Sequence, residues 1–193
     1  MNKKILFIQP TIYDDEGKLL KKRRLFFVGL AHPLLAALLP EGWSAQMCLD
    51  MIEDIPYDTD ADVIGIGGVG HAAKRAKDIA IEFKKRGKIV FMGGPMVSLV
   101  PEMAKEYCDS VMIGDSEETI GELCRDIENG CLKPFYKKPL EKLSFPLPRY
   151  DLVVKKRIGN FLPVHAGRGC PNTCSFCTIS CLFKGRYMRR DIE

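Results

Sequence analysis

Short apolar runs alternate with amphipathic stretches over residues 1–130, and this alternation constrains the fold more than any other feature of the chain. Apolar runs of the kind that parallel sheets bury on both faces occupy residues 3–9, 62–67, 88–92 and 110–113, with a weaker run at 43–49. Between two of these runs, residues 71–86 place apolar side chains at helical spacing, with the charged side chains on the opposite face. The pattern predicts an α/β fold with a doubly wound parallel sheet of five strands, Rossmann or flavodoxin-like in type.

Further helix candidates lie between the predicted strands and after the last of them. Residues 30–39 are a helix candidate, and a short helix is expected near residues 101–107. Asp115 and Glu118 have the spacing of a capping box, which predicts a helix over residues 116–129. Gly130 then fits the position after the last helical residue.

The carboxyl ends of the predicted strands are the expected ligand-binding edge, because doubly wound domains bind their ligands there. Three of four such ends carry glycine, which permits close approach of the backbone to a ligand and also makes tight turns. The sequence contains no GxxxxGK[ST], which disfavours a P-loop phosphate site. The candidate ligand contacts at this edge are Thr11, Gly67, Gly68, Gly93, Gly94 and Gly114.

Charge and proline content change after residue 130. The net charge is −5 over residues 1–130 and +9 over residues 131–193. Residues 131–160 are basic and hold four prolines, which predicts an extended linker that wraps the first domain. Such charge is typical of a solvated surface, and a nucleic-acid contact is the less favoured interpretation.

Composition and hydropathy indicate a globular protein without a membrane span. Hydrophobic residues make up 46% of the chain and charged residues 28%, which excludes a disordered or fibrous protein. The longest apolar stretch, residues 25–40, is broken by Gly29, His32 and Pro33 and is too short to cross a bilayer. The first apolar run is too brief for a signal peptide. We therefore expect a cytoplasmic protein with no membrane partner.

Four of the eight cysteines lie within residues 170–181. Without a secretory signal, this cluster favours a metal or cofactor site over a disulfide framework. Cys170, Cys174 and Cys177 have the spacing CxxxCxxC, and three thiolates in one loop can hold three irons of a four-iron cluster while the fourth iron stays open. A four-cysteine zinc knuckle that includes Cys181 is the alternative, although zinc sites usually have two cysteine pairs with a longer spacer.

The cysteine motif, with Phe176 before its last cysteine, resembles the radical S-adenosylmethionine (SAM) superfamily. The Arg-Gly-Cys-Pro of residues 168–171 and the arginine-rich residues 185–190 strengthen this resemblance. In one subgroup a cobalamin-binding α/β domain precedes the loop, and residues 1–130 are similar to it in element order and in the phrases at residues 8–10, 93–95 and 113–117.

The resemblance implies three parts of the chain. Residues 1–130 would be a cobalamin-binding-like domain, and residues 131–160 would be the linker. Residues 161–193 would be the truncated start of a radical SAM (β/α) barrel. Since only 16 residues follow Cys177 and a barrel needs on the order of 200, the chain by itself is expected to be inactive.

The same resemblance implies a radical SAM enzyme. Cys170, Cys174 and Cys177 would ligate a 4Fe-4S cluster, Cys181 would not, and Phe176 would pack near the adenine of SAM. An electron donor such as flavodoxin or ferredoxin would reduce the cluster, which would then cleave SAM to a deoxyadenosyl radical. Cobalamin, bound at the strand ends without a histidine on cobalt, would allow methyl transfer to a small-molecule substrate or its rearrangement.

An alternative of a different class is an iron–sulfur or zinc RNA-binding module, with the basic C-terminal residues as its contact surface. A tRNA-modifying radical SAM enzyme is a further alternative within the enzyme class. Iron, sulfide and zinc content distinguish these alternatives, and nucleic acid is not the expected partner.

Overall fold

A six-stranded, wholly parallel sheet forms the centre of the computed structural model, which describes residues 2–68 and 70–190. Its strands lie in the order β2-β1-β3-β4-β5-β6, so the chain reverses direction across the sheet between β1 and β3, as in flavodoxin-like domains. The strands are β1 (Lys3–Gln9), β2 (Trp43–Leu49), β3 (Val63–Gly67), β4 (Ile89–Gly93), β5 (Ser110–Ile113) and β6 (Phe135–Lys137).

Helices cover both faces of this sheet, as the sequence analysis predicts. They are α1 (Ala31–Ala37), α2 (Ala73–Lys85), α3 (Pro95–Leu99), α4 (Pro101–Lys105) and α5 (Ile120–Glu128). Helix α2 buries Ile79 and Phe83 in the core cluster that also holds Leu6 and Ile8 of β1, whereas Phe7 of the same strand belongs to the cluster on the other face. Each such fully buried side chain contributes about 1.5–3 kcal/mol of transfer free energy. The alternation of apolar runs and amphipathic helices is therefore confirmed.

The predicted number of strands is corrected from five to six. Strand β6 lies in the segment that the sequence analysis interprets as a linker, and it pairs in parallel with β5. Tyr136 anchors it, because its ring is buried and its hydroxyl donates a hydrogen bond to Asp126 Oδ2 at 2.7 Å. A run of three residues beside a proline has too little local pattern to be recognised as a strand, so only this long-range pairing reveals it.

The capping box predicted at Asp115 does not form. Residues 116–118 make a single 3-10 turn, helix α5 begins at Ile120, and the Asp115 side chain caps neither of them. The reason is that its carboxylate accepts a hydrogen bond from Arg168 Nη1 at 2.7 Å instead. Arg168, which is distant in sequence, has thus replaced the helix backbone as the partner of the Asp115 carboxylate.

The C-terminal residues form a small hairpin with a helix between its strands. Strand β7 (Gly167–Gly169) pairs antiparallel with β8 (Tyr187–Arg189), and helix α6 (Thr178–Phe183) lies between them in the chain. The predicted barrel start is not confirmed, since barrel strands pair in parallel. The boundaries at residues 130 and 160 stay predictions. Residues 1 and 69 of the predicted first domain and residues 191–193 of the predicted last one lie outside the described residues.

Within residues 2–68 and 70–190, no helix combines the length and the apolar character that a membrane crossing requires.

Candidate functional site

The carboxyl end of β1 is anchored by buried hydrogen bonds. Thr11 is fully buried, and its N–H donates to Asp50 Oδ2 at 3.1 Å. Its hydroxyl donates to the carbonyl of Leu20 at 2.6 Å, which closes the loop after β1. The sequence analysis expects Thr11 to contact a ligand at the carboxyl edge of the sheet. Thr11 lies at that edge, but both of its polar groups have protein partners.

Asp50 follows β2 and is the most buried carboxylate at this edge. Its side chain is fully buried and accepts hydrogen bonds from Arg75 Nε at 2.8 Å and Arg75 Nη2 at 3.1 Å. Lys21 Nζ lies 3.2 Å from Asp50 Oδ1. Burial opposes ionisation of this carboxyl, but the hydrogen bonds from Arg75 and Thr11 outweigh it and hold the pKa of Asp50 below its ordinary value.

Gly67, at the end of β3, lies directly against a buried histidine. A Cβ at this position would stand 2.7 Å from Nε2 of His32, so no side chain fits without moving that ring. Burial lowers the pKa of His32 to about 4, which keeps its imidazole neutral at physiological pH. The ring centroid of His32 lies 5.6 Å from that of Phe7 in β1. His32 is thus part of the packing beneath the edge.

The glycines that follow β3 and β4 let two loops approach each other closely. Gly94 has a φ of 106°, and a Cβ there would lie 3.0 Å from the carbonyl oxygen of Gly68. A Cβ at Gly68 itself would make only ordinary contacts, with Pro10 and Ala72. Gly94 is therefore needed for the backbone conformation, whereas Gly68 leaves space at the edge.

A serine hydroxyl joins the ends of β4 and β5. Ser98 Oγ donates to the carbonyl of Gly94 at 2.9 Å and accepts the N–H of Gly114 at 2.8 Å. Gly114 is exposed, has a φ of 81° and has open space where a Cβ would stand. Gly93 is half-buried, with Ser116 Oγ 3.5 Å from the position of a Cβ. The structure thus brings the five predicted glycines to one edge.

The C-terminal hairpin lies against this edge, and we call residues 167–190 the cysteine segment. Arg168 Nη1 donates to Asp115 Oδ1 at 2.7 Å, and Arg168 Nη2 donates to Glu117 Oε1 at 2.6 Å. Helix α6 of the cysteine segment lies beside helix α3, which begins just after Gly94. Sequence-distant parts of the predicted site are therefore neighbours in the structure.

Residues 140–145 support the cysteine segment from the other side. Arg186 donates a hydrogen bond to the carbonyl of Leu140, and Arg190 Nη2 donates to the carbonyl of Phe145 at 3.2 Å. The Phe145 ring lies 5.6 Å from the Arg168 guanidinium carbon. The arginine-rich downstream residues thus serve as backbone anchors.

Cys170, Cys174 and Cys177 lie in the loop that leads into helix α6, and Cys181 lies within that helix. Cys170 and Cys177 are half-buried, whereas Cys174 and Cys181 are exposed, and all four are free thiols. The backbone N–H groups of Ser180 and Ile179 lower the pKa of Cys177 below its ordinary value. In the part of the chain that the structure describes, no three Cys, His, Asp or Glu side chains are placed to hold a metal ion.

Phe176 lies within this loop, directly before Cys177, and His165 precedes the loop in the chain. The Phe176 side chain is 91% exposed, so its ring is free to contact a ligand. His165 Nδ1 lies 3.4 Å from Arg168 Nη2. Burial, and secondarily the charge of Arg168, lower the pKa of His165.

Sequence reasoning misses the charged residues that hold the site together. It does not single out Asp50 and Arg75, and it assigns Asp115 a local capping role. One signal is present in the sequence, since Asp115 and Glu117 directly follow a predicted strand end. Their partner lies more than fifty residues away, which no local pattern indicates.

Comparison with known proteins finds relatives that are named as methyltransferases. The chain is 34% identical over 186 residues to the bacteriochlorophyllide d C-8(2)-methyltransferase of Chlorobaculum tepidum, covering 91% of this chain and 40% of that protein. It is 32% identical over 148 residues to the C-12(1)-methyltransferase of the same organism, covering 73% and 32% of the two chains. It is 29% identical over 200 residues to an uncharacterized methyltransferase of Pyrococcus horikoshii, covering 86% and 43%. No family model matches the sequence.

These relatives correct the radical SAM expectation. They are named as methyltransferases, not as radical SAM enzymes, and no cysteine-ligated metal site is formed among the described residues. The expectations of a 4Fe-4S cluster, cobalamin and an electron donor therefore lack support. The physical reason is that CxxxCxxC spacing places three thiols near one another along the chain but does not make their sulfur atoms converge. The chain spans about two fifths of the length of the first of these methyltransferases. The similarity is limited to that part of the relative.

Proposed function

We propose that the protein is an enzyme that transfers a methyl group from SAM to a small organic molecule. The observation that carries this proposal is the 34% identity to a methyltransferase over 91% of the chain. A match of that extent includes the sheet and is not confined to the cysteine loop. The C-12(1)-methyltransferase and the Pyrococcus horikoshii relative carry the same reaction class in their names, which supports the proposal.

The proposed reaction moves a methyl group from the sulfonium of SAM to a nucleophilic atom of the substrate. S-adenosylhomocysteine leaves, and the proton that the substrate atom loses goes to solvent or to a basic side chain. SAM supplies the electrophilic methyl group when bound. The chain contributes an edge where backbone can approach a ligand closely, at Gly67, Gly68, Gly93, Gly94 and Gly114.

The proposed substrate class is an apolar, anionic ring system, of which the bacteriochlorophyllides named for two relatives are the first to test. The surface beside the candidate edge suits such a molecule. Val164 and Leu147 are largely exposed and line a small cavity together with His165, Phe176 is exposed in the cysteine segment, and residues 131–193 carry a net charge of +9. Apolar contact would hold the ring system, while basic side chains would attract its carboxylate.

Phe176 is proposed to contact the bound ligand, and Cys170, Cys174 and Cys177 stay a proposed thiolate set for a metal ion. As the loop stands in the described residues, the three thiols do not fit a metal site, so no step of the reaction is derived through them. Metal content of purified Cys170→Ala, compared with Cys181→Ala, tests this assignment. Equal metal content in the two variants would contradict it.

The test of the reaction uses SAM with an isotopically labelled methyl group and bacteriochlorophyllide d, with the product identified by mass spectrometry. We expect the label in the product, with one S-adenosylhomocysteine formed for each methyl group transferred. Label that stays in SAM, with this chain and with the longest natural form of the protein, would overturn the proposal.

The candidate edge is tested by binding of labelled SAM to the chain in equilibrium dialysis. Gly68→Val puts bulk where the present backbone leaves ordinary contact distances, so we expect a folded variant with at least about tenfold weaker SAM binding. Ser44→Val, at an exposed position near the amino end of β2 and so on the opposite edge of the sheet, is the matched control and should bind SAM like the wild type. Equal affinities in the two variants would place the SAM site elsewhere.

A further inference from the structure

Arg168 makes the closest charged contact between the cysteine segment and the sheet. Its guanidinium donates one hydrogen bond to Asp115 at 2.7 Å and a second to Glu117 at 2.6 Å, from different terminal nitrogens. The three side chains are mostly shielded from solvent, with exposures of 13% for Arg168, 21% for Asp115 and 8% for Glu117. Charge-assisted hydrogen bonds of this kind are stronger than neutral ones and depend on geometry.

The surroundings of the guanidinium restrict its orientation further. The Phe145 ring lies 5.6 Å from its central carbon, within the range of a cation–π contact. His165 Nδ1 lies 3.4 Å from Nη2. A planar group contacted by two carboxylates and an aromatic ring has little freedom to rotate, and a lysine ammonium has no equivalent set of donors.

Both ends of this contact lie within the candidate site. Asp115 directly follows Gly114, whose N–H is bound by Ser98 at the ends of β4 and β5. Arg168 precedes Cys170 by two residues and lies in β7.

The backbone between Arg168 and Cys170 is tightly held. A Cβ at Gly169 would lie 2.1 Å from the carbonyl oxygen of Arg186, and the φ of Gly169 is 87°, so strands β7 and β8 are in close contact. The Cys170 N–H donates to the same carbonyl at 3.2 Å. Because the backbone between them is short and constrained, the position of the Arg168 guanidinium restricts where Cys170 can lie.

We infer that Arg168 is a positioning residue that fixes the cysteine segment against the carboxyl end of β5 through Asp115 and Glu117. Without it, two adjacent carboxylates lose their shared cation and repel each other, and the segment loses its charged link to the sheet. The location of the segment follows from this geometry alone. The consequence for catalysis, that a ligand at the glycine edge meets the cysteine segment in one site, rests on the proposed function.

The first test measures how fast Cys170 and Cys177 react with N-ethylmaleimide in the full chain, with each site followed by mass spectrometry. In Arg168→Gln we expect both thiols to react at least about tenfold faster, because the segment detaches and exposes them. Arg168→Lys should give an intermediate rate, since it keeps the charge but not the fork of donors. Arg149→Gln, which breaks an exposed ion pair with Asp151, is the matched control and should leave the rates unchanged.

The buried thiols of Cys48 and Cys124 report within the same experiment whether the fold is intact. If they stay unlabelled in Arg168→Gln while Cys170 and Cys177 react at wild-type rates, the inference is wrong. If Arg168→Gln unfolds, the triple variant with Asp115→Asn and Glu117→Gln removes the unpaired charges. That variant should restore protection of Cys48 and Cys124 but not of Cys170, and protection of all three would overturn the inference.

The second test follows methyl transfer. In Arg168→Gln we expect kcat/KM to fall at least about tenfold and in Arg168→Lys to recover in part, with Arg149→Gln at the wild-type value. If the labelling test shows that the segment detaches but kcat/KM is equal in all three variants, the expected effect of Arg168 on catalysis is wrong. If the wild type transfers no methyl group, the proposed function fails, and the labelling rates still decide the position of Arg168.

Discussion

Asp50 and Arg75 form a buried ion pair with two hydrogen bonds, at 2.8 and 3.1 Å, between the end of β2 and helix α2. The carboxylate is fully buried and the arginine side chain is 11% exposed. Asp50 also accepts the N–H of Thr11, so three parts of the chain meet at one carboxylate. This pair holds the loop after β1 in place beside the candidate edge.

Replacement of Asp50 by Asn should lower the free energy of unfolding by about 3 kcal/mol, because the largely buried Arg75 loses its counter-charge. Urea unfolding followed by circular dichroism measures this loss. Asp151→Asn is the matched control, since Asp151 also binds an arginine in two places but is 59% exposed. It should change stability by less than about 0.5 kcal/mol. Similar losses in the two variants would show that the buried Asp50–Arg75 pair stabilises the fold no more than an exposed ion pair does.

Gly67→Ala should destabilise the fold by about 1–3 kcal/mol, because its methyl group would stand 2.7 Å from Nε2 of the buried His32. Gly68→Ala should stay within about 0.5 kcal/mol of the wild type, since a Cβ there makes only ordinary contacts. Thermal unfolding of the two neighbouring variants gives the comparison. Equal melting temperatures would show that His32 can move aside.

Acid should destabilise the fold through His32 before Asp50 is protonated. The pKa of His32 is about 4 in the fold against 6.5 ordinarily, so the unfolded chain binds the proton first as the pH falls. Stability should begin to fall below pH 6.5 and level off below about 4, a loss of about 3 kcal/mol. The pKa of Asp50 is lowered from 3.8, so its contribution is lost only below that pH.

Unfolding free energies measured between pH 7 and pH 4 check the His32 contribution. His32→Gln should flatten the curve in this window, whereas His71→Gln, at an exposed position, should not. A wild-type curve that is already flat between pH 6.5 and 4 would contradict burial of a neutral imidazole.

The thiols of Cys48, Cys108 and Cys124 should resist alkylation in the folded protein. Burial raises the pKa of Cys48 to about 12, of Cys108 to about 11 and of Cys124 to about 12, so the reactive thiolate is scarce at pH 8. Iodoacetamide labelling with and without urea, analysed by peptide mass spectrometry, tests this. Cys131 is exposed and serves as the internal control, which should react in both conditions.

Local patterns in the sequence were enough to predict the parallel sheet and the edge at which its glycines lie. Strand and helix periodicity are local properties, so β1 to β5 and helix α2 could be recognised from runs of a few residues. Parallel pairing then requires the strand ends to lie on one side, which brought Gly67, Gly93 and Gly114 to one edge without any knowledge of contacts. The short strand β6 was not predicted, because the contact that anchors it, between Tyr136 and Asp126 of helix α5, has no local sequence pattern.

The assembly of the site, in contrast, depends on contacts that arise only when the chain folds. Asp115 could cap a local helix or pair with Arg168, and the pairing prevails because a guanidinium brought close by folding offers a stronger partner than a backbone N–H. The cysteine spacing likewise places three thiols in one loop but leaves the direction of each side chain to the packing of the cysteine segment. Local sequence specifies which residues are near one another along the chain. The contacts between distant segments, which depend on how whole elements pack, decide which of those residues meet.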